Sequence, residues 1–188
     1  MIAVMKAQKE REHPLKYIMW IACASIVMMF AGLSSAFIVK RNQANWITFD
    51  IPTIFFYSTA VIMLSSLTLI LCKKAFVNRK MAQYKGLLFI SMMLGIAFVI
   101  MQYIGFEQLW GSGITLTRNV AFSFLYVIVG LHALHVFGGV VGMVVIFAKS
   151  MNPQKKSYSS LSIELMNTYW HFVDFLWIYL LIFLIVVG

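Results

Sequence analysis

Four ionisable side chains lie in stretches of this chain that are otherwise apolar. His132 and His135 are three apart in "GLHALHVFGG" (130–139), and His171 and Asp174 are three apart in "YWHFVDFLW" (169–177). On a helix, residues at i and i+3 share a face, so each pair points two such groups in one direction. Imidazole and carboxylate at this spacing can do three things. They can hydrogen-bond each other, His N–H to carboxylate oxygen, and clasp two helices. They can hold water, lipid headgroups or a transferable proton. They can ligate a metal or haem. Haem held between helices needs axial ligands from two facing helices, whereas two of these histidines share one helix and the fourth, His13, lies near the N-terminus. Cys23 and Cys72 have no C-x-x-C spacing, so neither a zinc-type cluster nor a disulfide framework is indicated. The clasp is the reading these residues favour.

The elements that must position these groups follow from composition. The chain has 188 residues, 62% hydrophobic and 11% charged, with a mean hydropathy of +0.88. A soluble domain cannot hide that much apolar surface, so lipid is the solvent. Five apolar blocks fall near 17–39, 52–72, 86–106, 120–148 and 163–187. Each is long enough for the roughly 17–20 residues that cross a hydrocarbon core. Alternating strand patterns are missing, and backbone in lipid must be bonded internally. The expected fold is an all-α integral membrane protein, a bundle of five transmembrane helices spanning 15–188, with 1–14 a mobile or interfacial tail. The first block has a basic preface but outruns the 7–15-residue core of a signal peptide, and reads as a retained helix.

A net charge of +9 would suggest nucleic acid in a soluble protein. Here the basic residues sit between apolar blocks, which makes them topology signals and headgroup contacts rather than nucleic-acid ligands. Lys6, Lys9, Arg11, Lys16, Lys73, Lys74, Arg79, Lys80, Lys85, Lys149, Lys155 and Lys156 fall on one side, and Lys40, Arg41 and Arg118 on the other. The positive-inside rule puts the N-terminus in the cytoplasm and the C-terminus in the periplasm.

Within these spans Asp174 lies ~16 Å and His135 ~20 Å from the inner ends of their helices, at ~1.5 Å per residue. A charged group at that depth costs at least ~2.5–3.5 kcal/mol, so the four groups are expected to turn inward and partner one another. Gly138 and Gly142 form a G-x-x-x-G on which a neighbouring helix can pack closely. The Met-rich "SMMLGIAFVIMQYIGF" shares its helix with no Cys or His and reads as packing rather than copper handling. Gln102 can hydrogen-bond across helices, and "SSLT" (65–68) is a packing and hydrogen-bonding patch with no base beside it to activate a nucleophile.

"YWHFVDFLW", "GLHALHVFGG" and "STAVIMLSSLT" (58–68), in this order and separation, together resemble subunit III of haem–copper terminal oxidases. The first span, Met19 to Arg41, looks like the opening helix of that family's short form, and the resemblance runs from about residue 15 to the end. It implies a five-helix respiratory subunit with no haem or copper of its own, those groups belonging to the catalytic partner, subunit I. It also implies a cleft for ordered phospholipids and support for oxygen access, sustained proton uptake and catalytic-centre integrity. The longer mitochondrial form has two more helices in front, so this length suggests a bacterial enzyme in the cytoplasmic membrane. His132, His135, Trp170, His171 and Asp174 match motif positions of the family. Where members often carry a membrane-embedded glutamate after an Ala-Ser pair, this chain has Ile26 after Ala24 and Ser25. Cytochrome c is a more natural donor than quinol, although both kinds of oxidase share this component, and a respiratory supercomplex is conceivable. Two other classes compete: a stand-alone haem-binding membrane protein using His132, His135 and His171, and a proton or solute carrier using the His–Asp set.

Overall fold

The computed structural model describes residues 2–41, 52–111, 113, 120–151 and 160–187, with side chains from Pro14 onward except those of Ala121 and Ser160. These form five helices: α1 (Ile2–Arg41), α2 (Ile54–Val77), α3 (Met81–Gly111), α4 (Val120–Met151) and α5 (Ser160–Val187). Among the described residues there is no strand, and each helix contains a run long and apolar enough to cross a membrane. The connections 42–51, 114–119 and 152–159, with Arg118, Lys155 and Lys156, lie outside the described residues.

The helices outrun the apolar blocks. The 31 residues of α3 reach about 46 Å at 1.5 Å each, well beyond a ~30 Å hydrocarbon core. Hydropathy marks where the solvent changes, but the hydrogen-bonded ladder continues into the headgroup region. The segment 1–14 is likewise helical from Ile2 and continuous with α1 through Pro14.

Local chemistry sets the α2–α3 hairpin. Pro52 stands two residues ahead of α2, and its carbonyl accepts the Phe55 N–H at 3.0 Å. At the other end Arg79 N–H donates to the Phe76 carbonyl and Lys80 N–H to that of Ala75, both at 3.0 Å. This is the Schellman pattern that normally ends on glycine, yet the left-handed position, φ 55°, is held by Arg79.

The tight turn lays α2 and α3 along each other, the broadest contact in the bundle. α3 then packs on α4, α4 on α5, and α5 back on α2; α1 lies outside this ring against α4 and α5 only. Half of the most apolar window of α5 is buried (50%), against 22% for α1. α5 is therefore the hub. α1 attaches by one stripe, with Cys23, Phe30 and Phe37 buried and Met19, Ile26 and Leu33 half-buried between them. The alternating three- and four-residue spacing is that of a single helical face.

Candidate functional site

The hub is built around Trp170, which is fully buried. Its indole lies on two glycines of different helices. A Cβ at Gly95 of α3 would stand 2.9 Å from Trp170 Cη2, and one at Gly139 of α4 would stand 2.9 Å from Cε3 and Cζ3. Any side chain at either position displaces the ring. The expected Gly138–Gly142 row is therefore shifted. Gly138 is exposed, and a Cβ there meets only the Tyr169 hydroxyl at 3.9 Å, whereas one at Gly142 would stand 3.1 Å from Met166 Sδ. The face of α4 turned to α5 carries Gly139 and Gly142, three apart rather than four.

Of the four ionisable groups His132 and Asp174 are buried and His135 and His171 half-buried, and they do not pair with one another. His132 is fully buried and stacks on Trp177 (centroids 5.0 Å, 26°), with Phe98 and Phe30 edge-on at 6.1 and 6.5 Å. Neither of its ring nitrogens has a hydrogen-bond partner. His135 shares the Phe30 contact at 5.8 Å and donates Nδ1–H to the carbonyl of Leu131 at 2.7 Å. His171 Nδ1 bonds the Ser66 hydroxyl of α2. Asp174 is 5% exposed, and neither carboxyl oxygen has a hydrogen-bond partner. The direct His–Asp clasp expected between α4 and α5 is not formed. Instead Tyr169 O–H donates to the His135 carbonyl at 3.0 Å. Sequence spacing identifies which residues share a face but not which neighbour that face meets, and the His171 face of α5 meets α2.

α2 supplies the partners that spacing arguments missed. Ser58, Ser65 and Cys72 stand seven apart and all face α3. Ser58 Oγ accepts from Gln102 Nε2 at 3.0 Å, Ser65 donates to the Ser91 carbonyl at 3.1 Å, and Cys72 to that of Tyr84 at 3.6 Å. Thr59 and Ser66, one residue further on, face α5: Thr59 Oγ1 accepts from Trp177 Nε1 at 2.8 Å, and Ser66 meets His171. Thr68 and Ser91 share a hydrogen bond of 2.7 Å. Two parallel rows at heptad spacing were thus the available signal, one for each neighbour.

The row Thr59–Ser66 continues to Lys73, which lines a cavity of about 150 Å³ with Lys16, Trp20, Glu164, Leu165 and Thr168. Lys16 Nζ and Glu164 Oε2 are 2.9 Å apart across it, joining α1 to α5. Both are partly solvent-exposed, so the pair adds at most about 1 kcal/mol. Elsewhere, Met92 of the Met-rich run is buried while Met93 is exposed, as packing and surface filler would be. Ile26 packs against the core from the inward stripe of α1. Among the described residues no three His, Cys, Asp or Glu side chains come together as ligands for a metal ion.

This is a multi-pass helical membrane protein whose buried polar groups chiefly tie helix to helix. The family comparison makes the class specific. A sequence model of "Cytochrome c oxidase subunit III" matches residues 8–188, across all five helices, and the chain belongs to that family. It is 29% identical over 174 residues to the probable cytochrome c oxidase subunit 3 of Nocardia farcinica, covering 86% of this chain and 81% of that one. It is 24% identical over 175 residues to cytochrome c oxidase subunit 3 of Bacillus subtilis, covering 90% and 84%. Cytochrome bo(3) ubiquinol oxidase subunit 3 of Pseudomonas aeruginosa is 26% identical over 164 residues, covering 85% and 78%.

Proposed function

We propose that this chain serves as the non-catalytic subunit III of a respiratory haem–copper terminal oxidase, packed against the subunit that carries haem and copper. The observation that carries this reading is the family match from residue 8 to 188, which leaves no helix unaccounted for. Cytochrome c is the favoured donor, because the Nocardia and Bacillus relatives are named as cytochrome c oxidase subunits; the Pseudomonas relative is named for ubiquinol.

In this reading the protein sits in a bacterial cytoplasmic membrane with its N-terminus inside, as the lysine distribution favours. It stabilises the catalytic subunit, borders a lipid-lined route for oxygen and sustains proton uptake. The cavity lined by Lys16, Lys73, Glu164 and Trp20 suits a phospholipid headgroup, since Lys73, and Lys16 paired with Glu164, offer cations to a phosphate and Trp20 prefers the interface. His132, His135, Trp170, His171 and Asp174 act in assembly rather than in ligation.

The test is a mild-detergent pull-down of the tagged chain from its native membrane, with a reduced-minus-oxidised spectrum of the eluate and identification of every co-purifying chain. Haem signals together with a large polytopic partner are expected. The chain eluting alone would overturn the reading. A haem spectrum would then point to a stand-alone cytochrome and a colourless sample to a carrier.

A further inference from the structure

The turn between α2 and α3 holds a strained residue that the fold itself does not require. Arg79 occupies the left-handed position of the Schellman motif, at φ 55°. Glycine adopts that conformation without steric cost, and arginine does not. The motif is closed by backbone groups alone: the N–H groups of Asn78, Arg79 and Lys80 donate to the carbonyls of Lys74, Phe76 and Ala75, each at 3.0 Å. The Arg79 side chain is exposed, and among the described residues no hydrogen bond or ion pair engages it. Topology does not require it either. Lys73, Lys74, Lys80 and Lys85 keep this end basic without Arg79, and no acidic residue occurs between 73 and 85. A residue held against its backbone preference points to a role beyond the fold.

The turn is also firmly seated and set at a definite depth. Phe76 and Tyr84 meet across it at 5.3 Å, and Cys72 Sγ donates to the Tyr84 carbonyl at 3.6 Å. The apolar block of α2 ends at Cys72, so Val77 lies about 8 Å further along the axis at ~1.5 Å per residue. A headgroup layer is about 5–8 Å thick on each side of the hydrocarbon. Asn78, Arg79 and Lys80, all exposed, therefore stand at the level of lipid phosphates, with Lys74 one turn back from Asn78 on the same face of α2. Val77, apolar and 69% exposed, fits a lipid boundary better than a loop in water. We propose that Arg79, with Lys74, Asn78 and Lys80, forms a headgroup site for an anionic phospholipid, separate from the Lys16–Lys73 cavity. The guanidinium is a planar fork of donors that matches two phosphate oxygens, Lys74 and Lys80 add charge, and the Asn78 amide adds a donor. The backbone N–H groups are committed to the motif, so side chains alone make the site. A zwitterionic headgroup brings an ammonium into this group of cations, whereas an anionic one brings none, which selects the anionic class. The inference uses only residues of this chain and holds in either leaflet, whether or not the chain is an oxidase subunit.

The experiment is thermal unfolding of the chain, in whatever assembly it is extracted with, in neutral detergent carrying either phosphatidylglycerol or phosphatidylcholine. In phosphatidylcholine Arg79→Gly should melt slightly above wild type, because the strain is gone. In phosphatidylglycerol the order should reverse, and the lipid concentration giving half of the stabilisation should rise about fivefold in Arg79→Gly. Arg79→Lys, which keeps the charge, should retain most of the stabilisation, and added salt should shrink it. Lys40→Ala removes a charge at the other end of the bundle and should respond to phosphatidylglycerol as wild type does. Equal phosphatidylglycerol responses in wild type and Arg79→Gly would overturn the proposal. So would an equal loss of response in Lys40→Ala, which would make the effect one of net charge. Loss of a co-purifying subunit from Arg79→Gly, with an unchanged lipid response, would assign the turn to an acidic protein surface and overturn it as well.

Discussion

Two faces of α5 hold the bundle by different means. Towards α3 and α4 the contact is chiefly one of shape: the Trp170 indole rests on Gly95 and Gly139, and His132 stacks on Trp177 without a hydrogen bond, while Tyr169 O–H reaches the His135 carbonyl at the edge. Towards α2 it is one of hydrogen bonds, Trp177 to Thr59 and His171 to Ser66. In lipid, apolar surface gains nothing by moving from acyl chains to a helix, so helices are joined by close packing and by polar pairs. The comparison teaches that the packed face should dominate. A cross-helix hydrogen bond in a membrane averages only ~0.6 kcal/mol, while a large ring seated among backbone atoms is lost as a whole.

The largest effect is therefore expected for Trp170→Ala. Removing a fully buried indole leaves a cavity and forfeits its packing contacts, a loss of about 2–3 kcal/mol once the water-transfer part of the usual large-to-small cost is left out, measured as the midpoint shift when the detergent-solubilised chain is titrated with SDS. Gly139→Ala should come next, at about 1–3 kcal/mol from overpacking against the same ring. Gly138→Ala, one residue away on an exposed part of α4, should be close to neutral in the same titration. Equal losses at the two glycines would show that shape is not what holds this face.

On the α2 side Thr59→Val should cost roughly 0.6 kcal/mol and at most about 1.7, with a blue-shifted emission from Trp177 once its N–H loses its partner. A loss as large as that of Trp170→Ala would reverse the ranking of the two faces. Arg79→Gly should act in the other direction. Relieving a left-handed residue gains about 1–2 kcal/mol, and the flexibility of glycine takes back about 0.5–1, so a small stabilisation is expected in the same assay. Lys16→Ala should be the mildest, within about 1 kcal/mol, and its effect should fade as salt is raised.

The five spans could be read from the sequence because hydrocarbon imposes long apolar runs, and the basic residues between them are hard to place elsewhere. The core stripe of α1 was equally accessible: Cys23, Phe30 and Phe37 recur at heptad spacing. The site was legible only in part. That His132, His171 and Asp174 must avoid open lipid follows from the cost of exposing them there. Their partners did not follow, because i, i+3 spacing fixes a direction relative to one helix axis and leaves the rotation of that helix against its neighbours open. The same ambiguity moved the close-packing glycine from Gly138 to Gly139. The rows Ser58–Ser65–Cys72 and Thr59–Ser66 carried the missing information. Two adjacent rows of hydrogen-bonding residues at heptad spacing imply two neighbours, and α5 is the second.

The most direct test of the account combines assembly with the hub. The oxidase is isolated through a tag on its catalytic subunit from cells carrying wild type, Lys16→Ala or Trp170→Ala, and the amount of this chain per haem is measured. Wild type and Lys16→Ala should retain it in equal amount, while Trp170→Ala should lose most of it with the haem spectrum of the partner still present. Full retention of the Trp170→Ala chain, or no recovery of the wild-type chain with the haem-bearing subunit, would contradict the account.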